Sequence, residues 1–329
     1  MKALVYIGPE RLAYRDEPDP VADRDEVLIR IDAVGICGSD MHAWHGHDPR
    51  RVPPMILGHE LAGEIVAGPG VGSRVTVDPI INCGRCEYCL QGRDNLCANR
   101  RMIGMNCPGG FAQFMTTTAA RIVELPAALS ARAAALAEPA ATVLHAIDLG
   151  TRALRRPLPE CNALVQGGGA IGMLGALLLQ SYGVRRIAVG ETNPLRRASV
   201  ARFTAAATFD PATDKPPVDA FDLVVDAVGA KATRASALAA VKPGGVVVHV
   251  GLLDWASEID MRKLTLAEIT LIGSYTYSML DVRAAVRALA EGAFGELGWV
   301  EERPLSEGAA AFRDLAEGRA AAAKIVLRP

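Results

Sequence analysis

The stretch "QGGGAIGMLGALLLQSYG", residues 166–183, decides the fold of half the chain. An apolar run, "NALVQG", leads into it, and Gly167, Gly169 and Gly172 fit the pattern G-x-G-x-x-G at the start of a predicted helix. Glycines at this spacing allow a tight turn, close approach of a pyrophosphate and close helix packing, while the free N–H groups of the helix attract phosphate. The stretch therefore predicts a dinucleotide site, with a purely structural glycine turn as the alternative.

The residues around this turn refine the prediction. Ala170 and Ile171 complete it, and Glu191 ends the next apolar run, where an acid can bind both ribose hydroxyls of a dinucleotide. A carboxylate there repels a 2′-phosphate, so NAD is favoured over NADP. Arg196 and Arg197 keep NADP open, because a nearby arginine can accept that phosphate.

Apolar runs alternating with helices dominate the sequence from residue 162. Such runs, separated by helices, indicate a parallel sheet covered on both faces. The six strand candidates are "NALVQG", "RRIAVGE", "AATFD", "FDLVVDAVG", "GGVVVHVGL" and "EITLIGSY". Up to about residue 125, short runs such as "EVLIRIDAV", punctuated by Gly and Pro, indicate a barrel-like β domain instead.

The Ala-rich stretch 126–150 lies between these two regions. Its composition predicts helix. We expect that helix to be broken at Glu138-Pro139, because a residue before proline is pushed out of the α region.

The composition of the chain limits the functions it can have. The 329 residues are enough for two domains, and 50% hydrophobic with 22% charged residues is typical of soluble globular proteins. Neither a long apolar run nor the residue order of a signal peptide is present, so we expect a cytoplasmic protein with no membrane partner. A net charge of -2 lacks the basic excess that binding to nucleic acid needs.

The stretch "NCGRCEYCLQGRDNLC", residues 82–97, places Cys83, Cys86, Cys89 and Cys97 in one short segment. In a reducing compartment such a cluster binds metal more often than it forms disulfides. Four thiolates fill a tetrahedral zinc shell and leave no position for substrate, so the cluster predicts a structural zinc site. A nucleic-acid-binding zinc module is the alternative, and the scarcity of aromatic residues disfavours it.

A second set of potential ligands is dispersed. It comprises Cys37 in "GICGSDMH", His59 and Glu60 in "ILGHEL", and Glu138 in "LAEPA". Singly, each has an ordinary explanation, because a lone Cys is often a small buried hydrophobe and a lone Glu usually lies on the surface. Together they supply a thiolate, an imidazole and carboxylates, a mixture that suits zinc with one position left open for reaction.

These motifs in this order resemble the zinc-dependent medium-chain alcohol dehydrogenases, in particular the branch with sorbitol, threonine and butanediol dehydrogenases. The resemblance covers nearly the whole chain, including "GGFAQF", "VKPGGVVVHVG" and the closing "AAAKIVLRP". It implies an α/β protein in which a GroES-like β-barrel catalytic domain with a zinc lobe (1–140) precedes a Rossmann domain with a doubly wound, parallel six-stranded sheet (141–276). Residues 277–329 would return to the catalytic domain.

The resemblance also implies the roles of individual residues. Cys37 and His59 would bind the catalytic zinc, with Glu60 or Glu138 completing its shell, so that the chain carries two zinc ions. Ser39 and His42 resemble the family's hydroxyl-to-imidazole proton relay; a Ser that caps a helix and a surface His are the alternative. Members of the family are usually homodimers or homotetramers.

The predicted function is therefore the zinc- and NAD-dependent oxidation of a small secondary alcohol or polyol to a ketone or ketose by hydride transfer. A sugar-phosphate dehydrogenase of the same family is the near alternative, suggested by His47, Arg50 and Arg51 near the catalytic cysteine. A non-catalytic zinc- and nucleotide-binding regulator is the alternative from another class. It would not need the complete catalytic set.

Overall fold

The computed structural model describes all 329 residues. Its strands are β1 (Lys2–Gly8), β2 (Arg11–Asp16), β3 (Glu26–Gly35), β4 (Met55–Ile56), β5 (Glu60–Ala67), β6 (Arg74–Val77), β7 (Ile80–Ile81), β8 (Arg101–Met102), β9 (Phe114–Thr118), β10 (Ile122–Glu124), β11 (Asn162–Gln166), β12 (Arg186–Gly190), β13 (Ala207–Phe209), β14 (Phe221–Asp226), β15 (Val241–His249), β16 (Thr270–Gly273), β17 (Val300–Pro304) and β18 (Lys324–Arg328).

The helices are shorter and fewer in the first part of the chain. They are α1 (Gly38–Trp44), α2 (Glu87–Leu90), α3 (Ala131–Ala134), α4 (Ala137–Ala153), α5 (Ala170–Ser181), α6 (Pro194–Phe203), α7 (Lys231–Ala240), α8 (Met261–Leu266), α9 (Met279–Ala290) and α10 (Gly308–Ala316). None of them is both long and apolar enough to cross a membrane.

A mostly antiparallel sheet forms the barrel-like catalytic domain, in the order β10-β6-β5-β3-β18-β17 with β9 also paired to β3. Strand β3 is its centre because it pairs with β5, β9 and β18. Alternate residues Val27, Ile29 and Ile31 point into the core. Two irregularities in the register of β3 with β5 accommodate the bending that a barrel needs.

The second sheet is parallel throughout, in the order β13-β12-β11-β14-β15-β16. This confirms the predicted six-stranded, doubly wound sheet. Every residue of β14 is buried, as expected for a strand covered on both faces. The strand order reverses at β11, and ligands of such sheets bind at the carboxyl ends of the strands beside that point.

The last segment of the chain joins the two parts. Helix α9 packs against α4, while β18 pairs with both β3 and β17 in the catalytic sheet. The largest hydrophobic cluster includes residues of both domains, such as Ala33 of β3 and Leu223 of β14. The catalytic domain is therefore completed by residues from both ends of the sequence.

The predicted helix break at Glu138-Pro139 is wrong. Helix α4 runs from Ala137 to Ala153 without interruption, and the discontinuity lies just before it, after α3. Pro139 stands in the first turn of α4, where backbone N–H groups have no partner within the helix. The missing N–H of proline is therefore tolerated there.

The glycine turn supplies a test of the second domain. A Cβ on Gly172 would overlap the carbonyl oxygen of Gly167, whereas a Cβ on Gly175 in the same helix would meet nothing within 4 Å. We expect Gly172→Ala to lower the free energy of unfolding by about 1–3 kcal/mol and to weaken NADH binding. Gly175→Ala should be neutral or stabilising by up to about 1 kcal/mol. Urea unfolding and NADH fluorescence titration measure both effects, and equal behaviour of the two variants would contradict the packing argument.

Candidate functional site

The four-cysteine cluster forms one compact group of thiols. The sulfur atoms of Cys83, Cys86, Cys89 and Cys97 all lie within 4.8 Å of one another, and none forms a disulfide. The Sγ atoms of Cys86 and Cys89 are 3.4 Å apart, and those of Cys83 and Cys89 are 3.9 Å apart. A tetrahedron with metal–sulfur bonds of about 2.3 Å has edges of about 3.8 Å. The cluster therefore fits a closed zinc shell without rearrangement.

Backbone hydrogen bonds favour metal binding by this cluster. Hydrogen bonds from the N–H groups of Arg85 and Cys86 lower the pKa of the Cys83 thiol to about 6, which favours the thiolate that zinc requires. Arg121 fastens the lobe to the barrel, because its guanidinium donates to Asp78, Asp94 and Asn82. The lobe is thus a fixed part of the catalytic domain.

Three residues of the dispersed set of potential ligands also lie close together. Cys37 lies at the N-terminus of α1, His59 precedes β5, and Glu60 begins β5. Their ligand atoms lie within 4.8 Å of one another. Gly35 at the end of β3 pairs with Glu60, and any side chain there would overlap the Glu60 carboxylate. The register of β3 and β5 therefore creates the space in which this site forms.

Glu60 is held by a buried lysine that the sequence reading missed. Lys324 Nζ donates to both carboxylate oxygens of Glu60, at 2.7 and 2.6 Å, and to the carbonyl oxygen of Ile36 at 2.8 Å. Burial alone would lower the pKa of Lys324, but the charge of Glu60 raises it above its ordinary value. A single lysine in the otherwise apolar run "AKIVL" was the available signal.

Glu138 lies near this group but outside the three-residue cluster. Tyr277, which is fully buried, donates from its hydroxyl to Glu138 Oε1 at 2.6 Å. Burial raises the pKa of Glu138 to about 7, and the neighbouring Glu60 contributes in the same direction. The second carboxylate oxygen of Glu138, Oε2, takes no part in this hydrogen bond. Tyr277 follows β16, so this contact joins the metal site to the dinucleotide-binding domain.

The imidazole of His59 is placed to bind a cation. Its Nδ1 lies 3.6 Å from Asp40 Oδ1, and both atoms are buried without a hydrogen-bond partner. Metal-binding histidines usually orient the ring through a carboxylate on the second nitrogen. Here Asp40 can take that role, which leaves Nε2, 3.4 Å from the Ser39 hydroxyl oxygen, as the nitrogen available to a metal ion. The orphaned atoms and the mixed donor set fit a zinc ion held by Cys37, His59 and a carboxylate.

Ser39 lies beside this site, but it is not hydrogen-bonded to His42. Its hydroxyl oxygen is 3.4 Å from His59 Nε2 and accepts a hydrogen bond from Arg51 at 3.0 Å. Arg51 is buried and also donates to Asp48 and to a backbone carbonyl. Ser39 and His42, the two residues of the expected proton relay, thus lie on one helix without direct contact. The buried guanidinium of Arg51 donates a hydrogen bond to Ser39.

The predicted cofactor residues surround the turn after β11. Gly167 has a φ of 96°, in the left-handed region that favours glycine. Glu191 follows β12 and accepts hydrogen bonds from the backbone N–H groups of Gly168 and Asn193, each at 2.7 Å. Arg196 lies 3.6 Å from the Glu191 carboxylate. The acid therefore lies against the turn, as a ribose-binding residue requires.

Comparison with known proteins agrees with this arrangement. Residues 23–127 match the alcohol dehydrogenase GroES-like domain, and residues 170–291 match the zinc-binding dehydrogenase model. The chain is 32% identical to the L-galactonate-5-dehydrogenase of Escherichia coli (strain K12), over 89% of this chain and 88% of that protein. It is also 32% identical to the sorbitol dehydrogenase of Halalkalibacterium halodurans, over 100% and 99% of the two chains.

The chain belongs to the zinc-dependent medium-chain alcohol dehydrogenase family. A solved structure of a zinc-binding dehydrogenase from Sinorhizobium meliloti 1021, bound to NADP, shares 31% identity and superposes with a TM-score of 0.88. The superposition covers 100% of this chain and 99% of that one. The protein is therefore an oxidoreductase that acts on CH–OH groups with zinc and a nicotinamide dinucleotide, and the family prediction is confirmed.

The buried pair in this dehydrogenase has a clear consequence for stability. We expect Lys324→Met to lower the free energy of unfolding by about 3–5 kcal/mol, because the Glu60 carboxylate would stay buried without its partner. The same substitution at Lys2, whose partner Asp16 is exposed, should lower the free energy of unfolding far less, because water screens an exposed ion pair. Urea unfolding of both variants provides the comparison, and losses of equal size would contradict the role of burial.

Proposed function

We propose that this dehydrogenase oxidises a small secondary alcohol or polyol to a ketone or ketose and transfers hydride to NAD. The observation that carries the proposal is the mixed set of Cys37, His59 and Glu60, with Glu138 joined through Tyr277 to the carboxyl edge of the dinucleotide-binding sheet. Relatives that act on galactonate and on sorbitol, both polyhydroxylated, support this choice of substrate.

Cys37 and His59 would hold a zinc ion, which would supply the Lewis acid that lowers the pKa of a substrate hydroxyl. Burial raises the pKa of the Cys37 thiol, and Glu60 adds to that shift, so the thiolate needs a cation nearby. Glu60, fixed by Lys324, and Glu138, held by Tyr277, are the two carboxylates available to complete the metal shell. These side chains orient the alcohol toward the carboxyl edge of β11 and β14, where the nicotinamide ring would lie.

Ser39 and His42 remove the hydroxyl proton in this proposal. Ser39 lies next to His59, and its hydroxyl oxygen can accept the substrate proton while its own hydroxyl proton passes on toward His42. Burial, together with the nearby charges of His47 and Arg51, lowers the pKa of His42, so its neutral ring can receive a proton at neutral pH. Because the two side chains do not touch, a hydroxyl of the substrate or of the cofactor ribose would bridge them.

NAD is the proposed hydride acceptor because a carboxylate at the end of β12, as Glu191 supplies, would repel the 2′-phosphate of NADP. Two arginines near Glu191 weaken the expected preference for NAD over NADP. Arg197 Nη1 donates to the carbonyl oxygen of Glu191, whereas the buried Nε of Arg196 has no partner. The cofactor preference therefore depends on the balance between the Glu191 charge and the free donor of Arg196.

We propose a homodimer or homotetramer. Strand β16 is the edge of its sheet, pairs only with β15, and has three of its four residues exposed. Three exposed apolar residues lie on it or near it: Leu271 on the strand, Leu266 at the end of the preceding helix, and Trp255, which lines the same cavity as Leu271. An unprotected edge of this kind favours pairing with a second chain.

We also propose a cytoplasmic location. The seven cysteines, none in a disulfide, support a reducing compartment.

Turnover tests the proposal directly. We expect NADH formation with secondary alcohols or polyols and its loss when a chelator removes zinc. Cys37→Ser should abolish turnover and reduce bound zinc from two ions to one per chain, because His59 and a carboxylate alone would hold the catalytic ion too weakly. NADH binding and the unfolding midpoint should change little. Retained turnover in Cys37→Ser would contradict the assigned site.

Glu191→Ala tests the cofactor preference. Removal of the carboxylate eliminates both the ribose contact and the repulsion of a 2′-phosphate, so the KM for NAD should rise and the KM for NADP should fall. Steady-state kinetics with both cofactors would measure the ratio. An unchanged ratio would show that Glu191 does not select the cofactor.

A further inference from the structure

The four-cysteine lobe contacts the dinucleotide-binding domain at Tyr275. Asn95, a buried residue two positions before Cys97, donates from its side-chain amide to the backbone carbonyl oxygen of Tyr275 at 2.7 Å. Arg100 makes a second contact, because its Cζ atom lies 4.9 Å from the centre of the Tyr275 ring. The same guanidinium donates to the carbonyl oxygen of Cys97 at 2.8 Å. The lobe therefore holds a loop that belongs to the other domain.

Asn95 is held in place by the residues on either side of it. Its neighbour Asp94 accepts a hydrogen bond from Arg121 at 3.2 Å, and Arg121 also donates to Asp78, which follows strand β6, at 3.0 Å. On the other side, Cys97 is one of the four thiols that would share the ion of the cluster. The position of the Asn95 amide is therefore linked both to the barrel and to the four-cysteine site.

The loop that Asn95 contacts contains a strained residue. Thr276 has a φ of 47°, in the left-handed region that a β-branched side chain rarely adopts. Such a conformation persists only where the surrounding contacts impose it, and it is concentrated at functional sites. Both neighbours of Thr276 are anchored: Tyr275 by Asn95, and Tyr277 by its 2.6 Å hydrogen bond to Glu138. The strained residue therefore lies between two fixed points.

The second of these anchors reaches the metal site. Tyr277 is fully buried, and its hydroxyl donates to Oε1 of Glu138 in the first turn of α4. Helix α4 packs against β5, the strand that begins with Glu60. A group that hydrogen-bonds to a metal-binding side chain fixes its orientation, and the loss of such a group commonly weakens metal binding. The path from the lobe to the metal site thus consists of two hydrogen bonds joined by three residues of backbone.

We propose that Asn95 is a positioning residue of the catalytic metal site. By holding the carbonyl group of Tyr275, it fixes the hydroxyl of Tyr277. That hydroxyl in turn orients the carboxylate of Glu138. The four-cysteine lobe then does more than stabilise the fold, because the affinity of the catalytic site for its ion depends on the contact between the lobe and this loop. The inference rests on the proposed place of Glu138 in the metal shell.

The first test removes the Asn95 donor without changing the shape of the side chain. Asn95→Asp replaces the amide by a carboxylate, and Gln91→Glu makes the same change at an exposed position of the same lobe. Competition with a chelator measures the affinity for the ion that Cys37→Ser lacks. Asn95→Asp should weaken that affinity about tenfold, as for other groups that orient metal ligands. Gln91→Glu should not change it, and an unchanged affinity in Asn95→Asp overturns the proposal.

A double-mutant cycle with Tyr277→Phe tests the path. Tyr277→Phe removes only the hydroxyl and should weaken the catalytic ion about ten- to a hundredfold. If Asn95 acts through Tyr277, adding Asn95→Asp should cause little further loss. Additive losses overturn the proposed path. Cobalt in the catalytic site, with zinc kept in the cluster, gives a second readout: both single variants should shift its visible absorption bands, because both displace the same carboxylate. Unshifted bands in Asn95→Asp overturn the positioning role.

Thr276→Gly separates positioning from stability. Glycine accepts the observed φ without strain, so the unfolding midpoint in urea should stay the same or rise. The loop between the two anchors becomes more flexible, so the affinity for the catalytic ion should fall several-fold. An affinity that does not fall overturns the proposal, and this variant remains informative if Asn95→Asp does not fold.

None of these measurements requires turnover, which keeps the two proposals separable. If Tyr277→Phe leaves the affinity for the catalytic ion unchanged, Glu138 has no part in the metal shell and the role of Asn95 is overturned. NADH formation from an alcohol would still support the proposed oxidation in that case. Absence of NADH formation from every alcohol would contradict the proposed oxidation alone.

Discussion

The ion pair between Lys324 and Glu60 is the contact on which the catalytic half of the molecule depends. Each charge would cost several kcal/mol to bury alone, so the two are stable only together and with the Ile36 carbonyl that Lys324 also reaches. The pair joins the last strand, β18, to the sheet beside its central strand, β3. It also gives Glu60 a defined position next to Cys37 and His59, and Gly35 provides the necessary space.

A short segment after β16 connects the two halves in a second way. Tyr277 donates to Glu138 at the metal site, the carbonyl oxygen of Tyr275 accepts from Asn95 of the zinc lobe, and the phenol of Tyr275 lies beside Arg100. Thr276 between them has a φ of 47°, a conformation that costs a β-branched residue about 1–3 kcal/mol. Contacts on both sides offset that cost. The segment thus links the cofactor-binding edge, the zinc lobe and the metal site.

Local patterns predicted much of this arrangement. The glycine turn and the alternation of apolar runs with helices indicated the six-stranded parallel sheet, and the spacing of four cysteines indicated one zinc lobe. The break in α4 was predicted wrongly because the preference of a residue before proline was considered without its place in the first helical turn. Lys324, Tyr277 and Asp40 were missed for a different reason. Their partners are distant in the sequence, or the residue type alone does not indicate a functional role.

The sequence by itself determined the family, the fold class and the two sets of metal-binding residue types, because these are recognised from short motifs and from the order of the motifs along the chain. Only the tertiary structure decided which partner holds each carboxylate. Lys324 and Glu60 are 264 residues apart, and Tyr277 and Glu138 are 139 apart. No local pattern encodes such pairs. They follow from the register of β3 with β5 and β18, and from the packing of the last segment against both domains.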